Sequence, residues 1–138
     1  MSESTISLHT ALVYLMVLVS ASDREMTDSE LKRMGEIVKR LPVFKGYDPD
    51  KLISDAGTCA EILQVDDGLE AVLGLVREAI PDSHVDTAYA VACDIAVADG
   101  HLSREELRVL EMIRFALNVD RLLAAAIERG ATARNRSV

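Results

Sequence analysis

The sequence has few of the residues that break regular structure. Among 138 residues there are only 3 prolines and 7 glycines, fewer turn residues than a chain of many short strands needs, so we expect helices. The 2 cysteines, Cys59 and Cys93, are too far apart for a CxxC metal motif and too few for a disulfide framework. We therefore expect a reducing, cytoplasmic location.

Positive charge is also scarce. The chain has 15 lysines and arginines against 23 aspartates and glutamates, which gives a net charge of −8. A nucleic-acid-binding protein needs a basic face that displaces counterions from phosphates, so we expect no nucleic-acid partner. With 49% hydrophobic residues, the chain is too apolar to be disordered, and its length suits one domain.

No hydrophobic run is long enough for a membrane span. The longest run is Ala11–Val19, whereas a membrane helix needs about 20 apolar residues. Small residues follow this run, as in a signal peptide, but Met1–Ser4 contains no basic residue. We interpret the run as a buried core helix, with no membrane insertion.

Residues 11–41 and 87–117 repeat one another at a constant offset of 76 residues. At this offset Asp23 aligns with Asp99, and Glu30 aligns with Glu106. Repeated units of this kind bury their apolar faces against each other. The repeat therefore predicts two similar helical halves related by a pseudo-twofold axis.

Each half begins with a helix that is apolar nearly all round, Ile6–Ala21 and Val85–Ala98, and such helices belong at the centre of a fold. An amphipathic helix follows in each half. Its buried stripe is predicted at Met34, Ile37, Val38 and Leu41 in the first half and at Leu107, Leu110, Ile113 and Leu117 in the second. Three further helices are predicted at Asp48–Gln64, Gly68–Ile80 and about Asp120–Arg129.

The resulting prediction is an all-α single domain of about seven helices over residues 1–130. Two pseudo-twofold-related halves surround the two central apolar helices, and the loop Pro42–Pro49 folds back on the core. The last helix is predicted to end at Gly130, leaving residues 131–138 as a flexible C-terminal tail. Asp94, inside the second apolar helix, should either bond a helix end in the other half or reach solvent.

The connection after each apolar helix is acidic and has the same spacing in both halves. Thr27-x-x-Glu30 and Ser103-x-x-Glu106 match the capping box, in which the hydroxyl and the glutamate each bond a backbone N–H of the first turn. Such a cap contributes about 1 kcal/mol. The cap explains these four residues without any ligand.

The cap does not explain Asp23 and Asp99, which come where the preceding helices end. A carboxylate there opposes the negative end of the helix dipole. One interpretation is a turn-forming aspartate followed by a cap. The other is that Asp23 with Glu30, and Asp99 with Glu106, bind Ca²⁺ or Mg²⁺ through carboxylate oxygens.

The segment Ala96–Glu106, AVADGHLSREE, resembles the signature of the tellurite-resistance TerB family. In that family an A-D-G-x-(I/L/V)-(S/T)-x-x-E turn occurs once in each half of a seven-helix domain. The segment Phe44–Asp48, FKGYD, resembles the family's loop between the halves. The resemblance extends from about Ser7 to Arg129. In the first turn, residues 22–24 read Ser-Asp-Arg where the family has Ala-Asp-Gly.

The resemblance implies a bacterial stress-response domain associated with tellurite resistance, which senses or signals near the inner face of the membrane. It implies acidic residues that bind divalent cations, Asp23 and Glu30 in the first turn and Asp99 and Glu106 in the second. It also implies protein partners, which the sequence does not identify, and any membrane association would be peripheral, through those partners.

Catalytic motifs are missing from the sequence. It contains no G-x-S-x-G elbow, no H-E-x-x-H zinc motif and no glycine-rich phosphate loop. We therefore expect that the protein is not an enzyme. The alternative to a cation-binding sensor is a metal-free helical interaction or scaffold domain, in which the acidic turns are only helix caps.

Overall fold

The chain is built from helices joined by short turns. The computed structural model describes residues 6–20, 27–98 and 102–138, and over these residues it contains seven α-helices and no strand, which confirms the predicted all-α class. The helices are α1 (Leu8–Ser20), α2 (Asp28–Arg40), α3 (Leu52–Leu63), α4 (Gly68–Ala79), α5 (Val85–Ala96), α6 (Arg104–Leu117) and α7 (Arg121–Arg134). Short 3₁₀ turns lie at Pro42–Phe44, Pro49–Lys51 and Asp82–His84.

Helices α1 and α5 form the centre of the molecule. Helix α1 has no charged residue, and every residue from Ala11 to Val19 is at most 3% exposed. It packs directly against α5, in which Tyr89 and Ala92 are equally buried. A helix that is apolar on all sides is stable only where other helices surround it. The prediction of two central apolar helices is confirmed.

The sequence repeat reappears in the packing. Helix α1 contacts α2 and α3, and the matching helix α5 contacts α6 and α7. Helix α4 has no counterpart in the repeat and packs against α1, α3 and α6. Equivalent helices of the two halves therefore make equivalent contacts, as the repeat predicts.

The predicted buried stripes of the amphipathic helices are correct except at Leu107. Met34, Ile37 and Val38 are buried on α2, as are Leu110, Ile113 and Leu117 on α6, whereas Leu41 is partly buried. Leu107 is 49% exposed. It lies in the first turn of α6 and lines a groove between α6 and α7.

Helix α7 begins where the sequence predicts and ends later. Asp120 caps its start, since its Oδ2 accepts the N–H groups of Leu122 and Leu123. The predicted end at Gly130 is wrong, because the helix continues to Arg134 and residues 131–134 of the expected tail belong to it. Burial of Ala131, which is 0% exposed, offsets the roughly 1 kcal/mol that a glycine costs inside a helix.

Candidate metal centre and neighbouring polar clusters

The first capping box forms as the sequence predicts. The backbone N–H of Glu30 donates to Thr27 Oγ1 at 3.2 Å, and the backbone N–H of Thr27 donates to Glu30 Oε1 at 2.9 Å. These two bonds satisfy N–H groups that have no partner within the helix. They also fix where the Glu30 carboxylate lies at the start of α2.

The second capping box has the same geometry at the start of α6. The N–H of Glu106 donates to Ser103 Oγ at 3.0 Å, and the N–H of Ser103 donates to Glu106 Oε1 at 2.9 Å. Glu30 and Glu106 are both half-buried. The two halves therefore hold two glutamates in matching positions.

Of the four predicted metal ligands, the structure places Glu30 and Glu106. Asp23 and Asp99 lie outside the described residues, so the pairing of each aspartate with its glutamate is a prediction. Within residues 6–20, 27–98 and 102–138, no three His, Cys, Asp or Glu side chains are grouped in a way that could hold a metal ion.

The described part of each turn carries carboxylates, which are the ligands that hard cations such as Ca²⁺ and Mg²⁺ prefer. The first helical turn of α2 carries Asp28 and Glu30, and the first helical turn of α6 carries Glu105 and Glu106. The capping bond uses Oε1, and a carboxylate has a second oxygen that can bind a cation. The positive end of the helix dipole favours carboxylates here and disfavours a lone cation. Binding therefore needs further negative ligands, which Asp23 and Asp99 would supply.

Asp94 has a partner that the sequence analysis did not find. Its Oδ1 accepts from Arg134 Nη2 at 2.8 Å, so its main contact is a side chain of its own half, and neither a helix end in the other half nor solvent. The bond joins α5 to the end of α7. The sequence predicts a tail from residue 131 onward, whereas Arg134 lies in α7, so the sequence does not indicate this pairing.

A second polar cluster joins α1, α3 and the loop between α2 and α3. Asp55 Oδ2 accepts from Tyr47 Oη at 2.6 Å and from Thr10 Oγ1 at 3.2 Å. The His9 ring lies with its centroid 5.9 Å from that of Phe44 and 5.5 Å from that of Tyr47. Burial and the bond to Asp55 raise the pKa of Tyr47. The expectation that the Pro42–Pro49 loop folds back on the core is confirmed, since Phe44 is 2% exposed.

The corresponding link in the second half is made by different residues. Tyr89 Oη on α5 donates to Glu128 Oε2 on α7 at 2.5 Å. Burial raises the pKa of Tyr89, and this hydrogen bond raises it further. Sequence reasoning missed both clusters because their members do not follow the repeat. Only the separate tyrosines and carboxylates were visible in the sequence.

The two cysteines are buried, unpaired thiols. Burial raises the pKa of each thiol to about 12, and a thiol with such a pKa is a poor nucleophile at neutral pH because almost none of it is thiolate. Neither cysteine fits the role of a catalytic nucleophile.

The fold and these turns define a class: an all-helical protein of two repeated halves, each with a capped acidic turn between its apolar and amphipathic helices. Within the described residues, no helix is long and apolar enough to span a membrane. The family model described as tellurite resistance protein TerB matches residues 9–128. The chain therefore belongs to the TerB family. No curated protein and no solved structure matches it.

Proposed function

We propose that this TerB-family protein binds a divalent cation at each of its two acidic turns and acts in a stress response associated with tellurite resistance. The observation that carries the proposal is the duplication itself. The same capping geometry holds a glutamate carboxylate at the start of α2 and of α6. In the sequence an aspartate precedes each glutamate by seven residues.

The proposed chemistry follows from the ligand type. Aspartate and glutamate oxygens suit Ca²⁺ and Mg²⁺, with backbone carbonyls and water completing the coordination. In this proposal Asp23 and Glu30 would hold one ion, and Asp99 and Glu106 the other. A bound ion would fix the connection between a central apolar helix and the amphipathic helix that follows.

The proposed role is sensing and interaction rather than catalysis. Fixing the two turns would bias the surface that α2 and α6 present to a protein partner. The free thiols are consistent with a cytoplasmic location, where disulfides are rare. Association with the membrane, in this account, occurs through partners.

The test uses glutamine variants, because glutamine can also close a capping box. Glu106→Gln and Glu30→Gln should keep the cap but remove a charged ligand, and Glu105→Gln is a neighbouring control with the same loss of charge. Chelator-treated protein is unfolded by heat with Ca²⁺, Mg²⁺, Mn²⁺ or Zn²⁺. At a hundredfold excess over Kd, binding stabilises by about 2.7 kcal/mol, a shift of several degrees.

We expect one cation to raise the melting temperature of the wild type and of Glu105→Gln. The same cation should have a smaller effect on Glu106→Gln and on Glu30→Gln. Equal shifts in all four proteins would contradict binding at the turns.

A second candidate function is a metal-free protein-interaction domain. It is favoured by two large apolar side chains on the second half, Phe115 on α6 at 65% exposed and Leu122 on α7 at 80% exposed. In this alternative the acidic turns are only caps. The absence of any cation-induced shift in the wild type would favour it over the first candidate.

A further inference from the structure

A cleft of about 780 Å³ lies between α2, α5 and the end of α7. Small-molecule sites have volumes of roughly 300–1,000 Å³. Side chains from three helices form the walls, so the cleft depends on the tertiary fold and not on one helix surface. Of the four predicted metal ligands, the two that the structure describes, Glu30 and Glu106, do not line it.

Three arginines line this cleft: Arg33 and Arg40 from α2, and Arg134 from α7. Arg33 and Arg40 are seven residues apart, which places them on one face of the helix. Within the described part of the chain, neither forms an ion pair with an acidic side chain. In a protein with a net charge of −8, three arginines around one concavity form a local anion-attracting site.

Two acidic residues, Glu36 and Asp94, also line the cleft, so among the described residues that line it the arginines outnumber the carboxylates by three to two. Asp94 accepts one bond from Arg134 at 2.8 Å, and the Arg134 side chain is still 60% exposed. A guanidinium carries five N–H donors. Asp94 therefore holds Arg134 at the cleft and leaves most of its donors for a ligand.

The rest of the cleft is largely apolar. Leu41, directly after α2, and Ala90 of α5 are partly exposed and supply apolar surface, whereas Ile37 and Val91 are buried in the wall. Thr87 adds a hydroxyl group. A site with convergent charged groups beside an apolar wall suits a ligand with an anionic head and an organic body. Guanidinium groups match phosphate oxygens with paired N–H donors. A phosphate has more oxygens than a carboxylate to share among three arginines.

We propose that this cleft binds a small organic phosphate. Its phosphate would contact Arg33, Arg40 and Arg134, and its organic body would lie over Leu41 and Ala90. The proposal goes beyond cation binding and does not depend on it, since the arginines of the cleft are separate from the carboxylates proposed to bind the cation, and neither Glu30 nor Glu106 lines the cleft.

The test is calorimetric titration of adenosine monophosphate into the full chain, in chelator and at constant ionic strength. Inorganic phosphate and adenosine, titrated separately, represent the head and the body of the ligand. We expect adenosine monophosphate to bind more tightly than either. Arg33→Gln and Arg40→Gln should each raise its Kd at least about tenfold, because each removes bonds between charged groups.

Arg108→Gln is the matched control. Arg108 is exposed on α6 and does not line the cleft, so the same loss of charge should change the Kd less than about twofold. Circular dichroism checks that each variant is folded. Because Arg40 is exposed, its variant remains informative if Arg33→Gln unfolds.

Three results would overturn the proposal. The first is no binding of adenosine monophosphate at millimolar concentration. The second is an equal loss of affinity in Arg108→Gln, which would mean non-specific attraction by charge. The third is sedimentation with phosphatidylglycerol vesicles by a protein that does not bind adenosine monophosphate, which would assign the arginines to a lipid surface.

Discussion

Cys59 and Cys93 show how strongly burial changes the chemistry of a single residue in this protein. Each thiol is at most 1% exposed, and burial raises the pKa of each to about 12. For Cys93, the neighbouring carboxylates Glu128 and Asp94 add to the effect of burial. The folded protein therefore keeps both thiols protonated at a pH where an unfolded chain begins to lose those protons.

This difference predicts a loss of stability at alkaline pH. Unfolded thiols titrate near 9.0 and folded ones near 12, so between these values the folded state binds more protons. The free energy of unfolding should then fall as pH rises, and for each thiol the slope should steepen through pH 9 toward about 1.4 kcal/mol per pH unit near pH 10. Urea unfolding at pH 8, 9 and 10 measures the slope. The double variant Cys59→Ala/Cys93→Ala should have a shallower slope, and an unchanged slope would contradict the assignment.

The sequence predicts contacts between residues that are close in the chain, but it does not predict contacts between distant residues. The bonds of Thr27 with Glu30 and of Ser103 with Glu106 span three residues, and the capping pattern identifies them directly. The contact of Asp94 with Arg134 spans 40 residues. No local pattern encodes a pairing of that length, because it depends on how α5 and α7 pack.

At the scale of helices, the glycines differ in why they are present. Some lie at exposed positions where alanine would favour the helix, and one is required by close packing. Gly57 in α3 and Gly74 in α4 are exposed, and a Cβ built at either position would contact nothing within 4 Å. Gly68, at the start of α4, is different. A Cβ there would lie 2.1 Å from the backbone oxygen of Ile62, so the tight connection between α3 and α4 requires glycine.

Alanine substitutions should therefore have opposite effects at these positions. Gly57→Ala and Gly74→Ala should each raise the free energy of unfolding by about 0.5–1 kcal/mol, because alanine favours the helix. Gly68→Ala should lower it, since backbone atoms must shift to accept the methyl group. Thermal unfolding of the three variants tests this. A stabilised Gly68→Ala variant would mean that the connection is not as tight as described.

Helix starts were easier to predict than the end of α7. Thr27, Ser103 and Asp120 are capping residues whose partners lie two or three positions ahead, so the sequence alone identifies them. Gly130 carries a local stop signal. The helix continues because Ala131 is buried, and that burial comes from packing against helices that are distant in sequence.

At the scale of the whole molecule, α1 joins the two halves. It contacts α2 and α3 of its own half, α5 and α6 of the other, and α4 between them. Such a helix cannot lose its packing in one half alone. The repeat predicted this arrangement because a unit with an apolar central helix cannot bury that helix by itself. The arginine-lined cleft could not be predicted, since it exists only where α2, α5 and α7 come together.

The shared centre predicts one cooperative unfolding transition. Leu15 of α1 is 0% exposed, and Leu15→Ala should lower the free energy of unfolding by about 2–5 kcal/mol. Leu122→Ala, at an 80% exposed position, should change it by less than about 0.5 kcal/mol. In urea, the thiol reactivities of Cys59 and Cys93 should rise together with the loss of helical circular dichroism. Two separate transitions would contradict a single core.

Counting the bound ions tests most directly whether the two acidic turns are cation sites. The cation identified by thermal unfolding is titrated calorimetrically into the chelator-treated wild type, Asp23→Asn, Asp99→Asn and the double variant. The account predicts two ions per chain for the wild type, one for each single variant and none for the double variant. Undiminished binding by the double variant, or no binding by the wild type at millimolar cation, would contradict it.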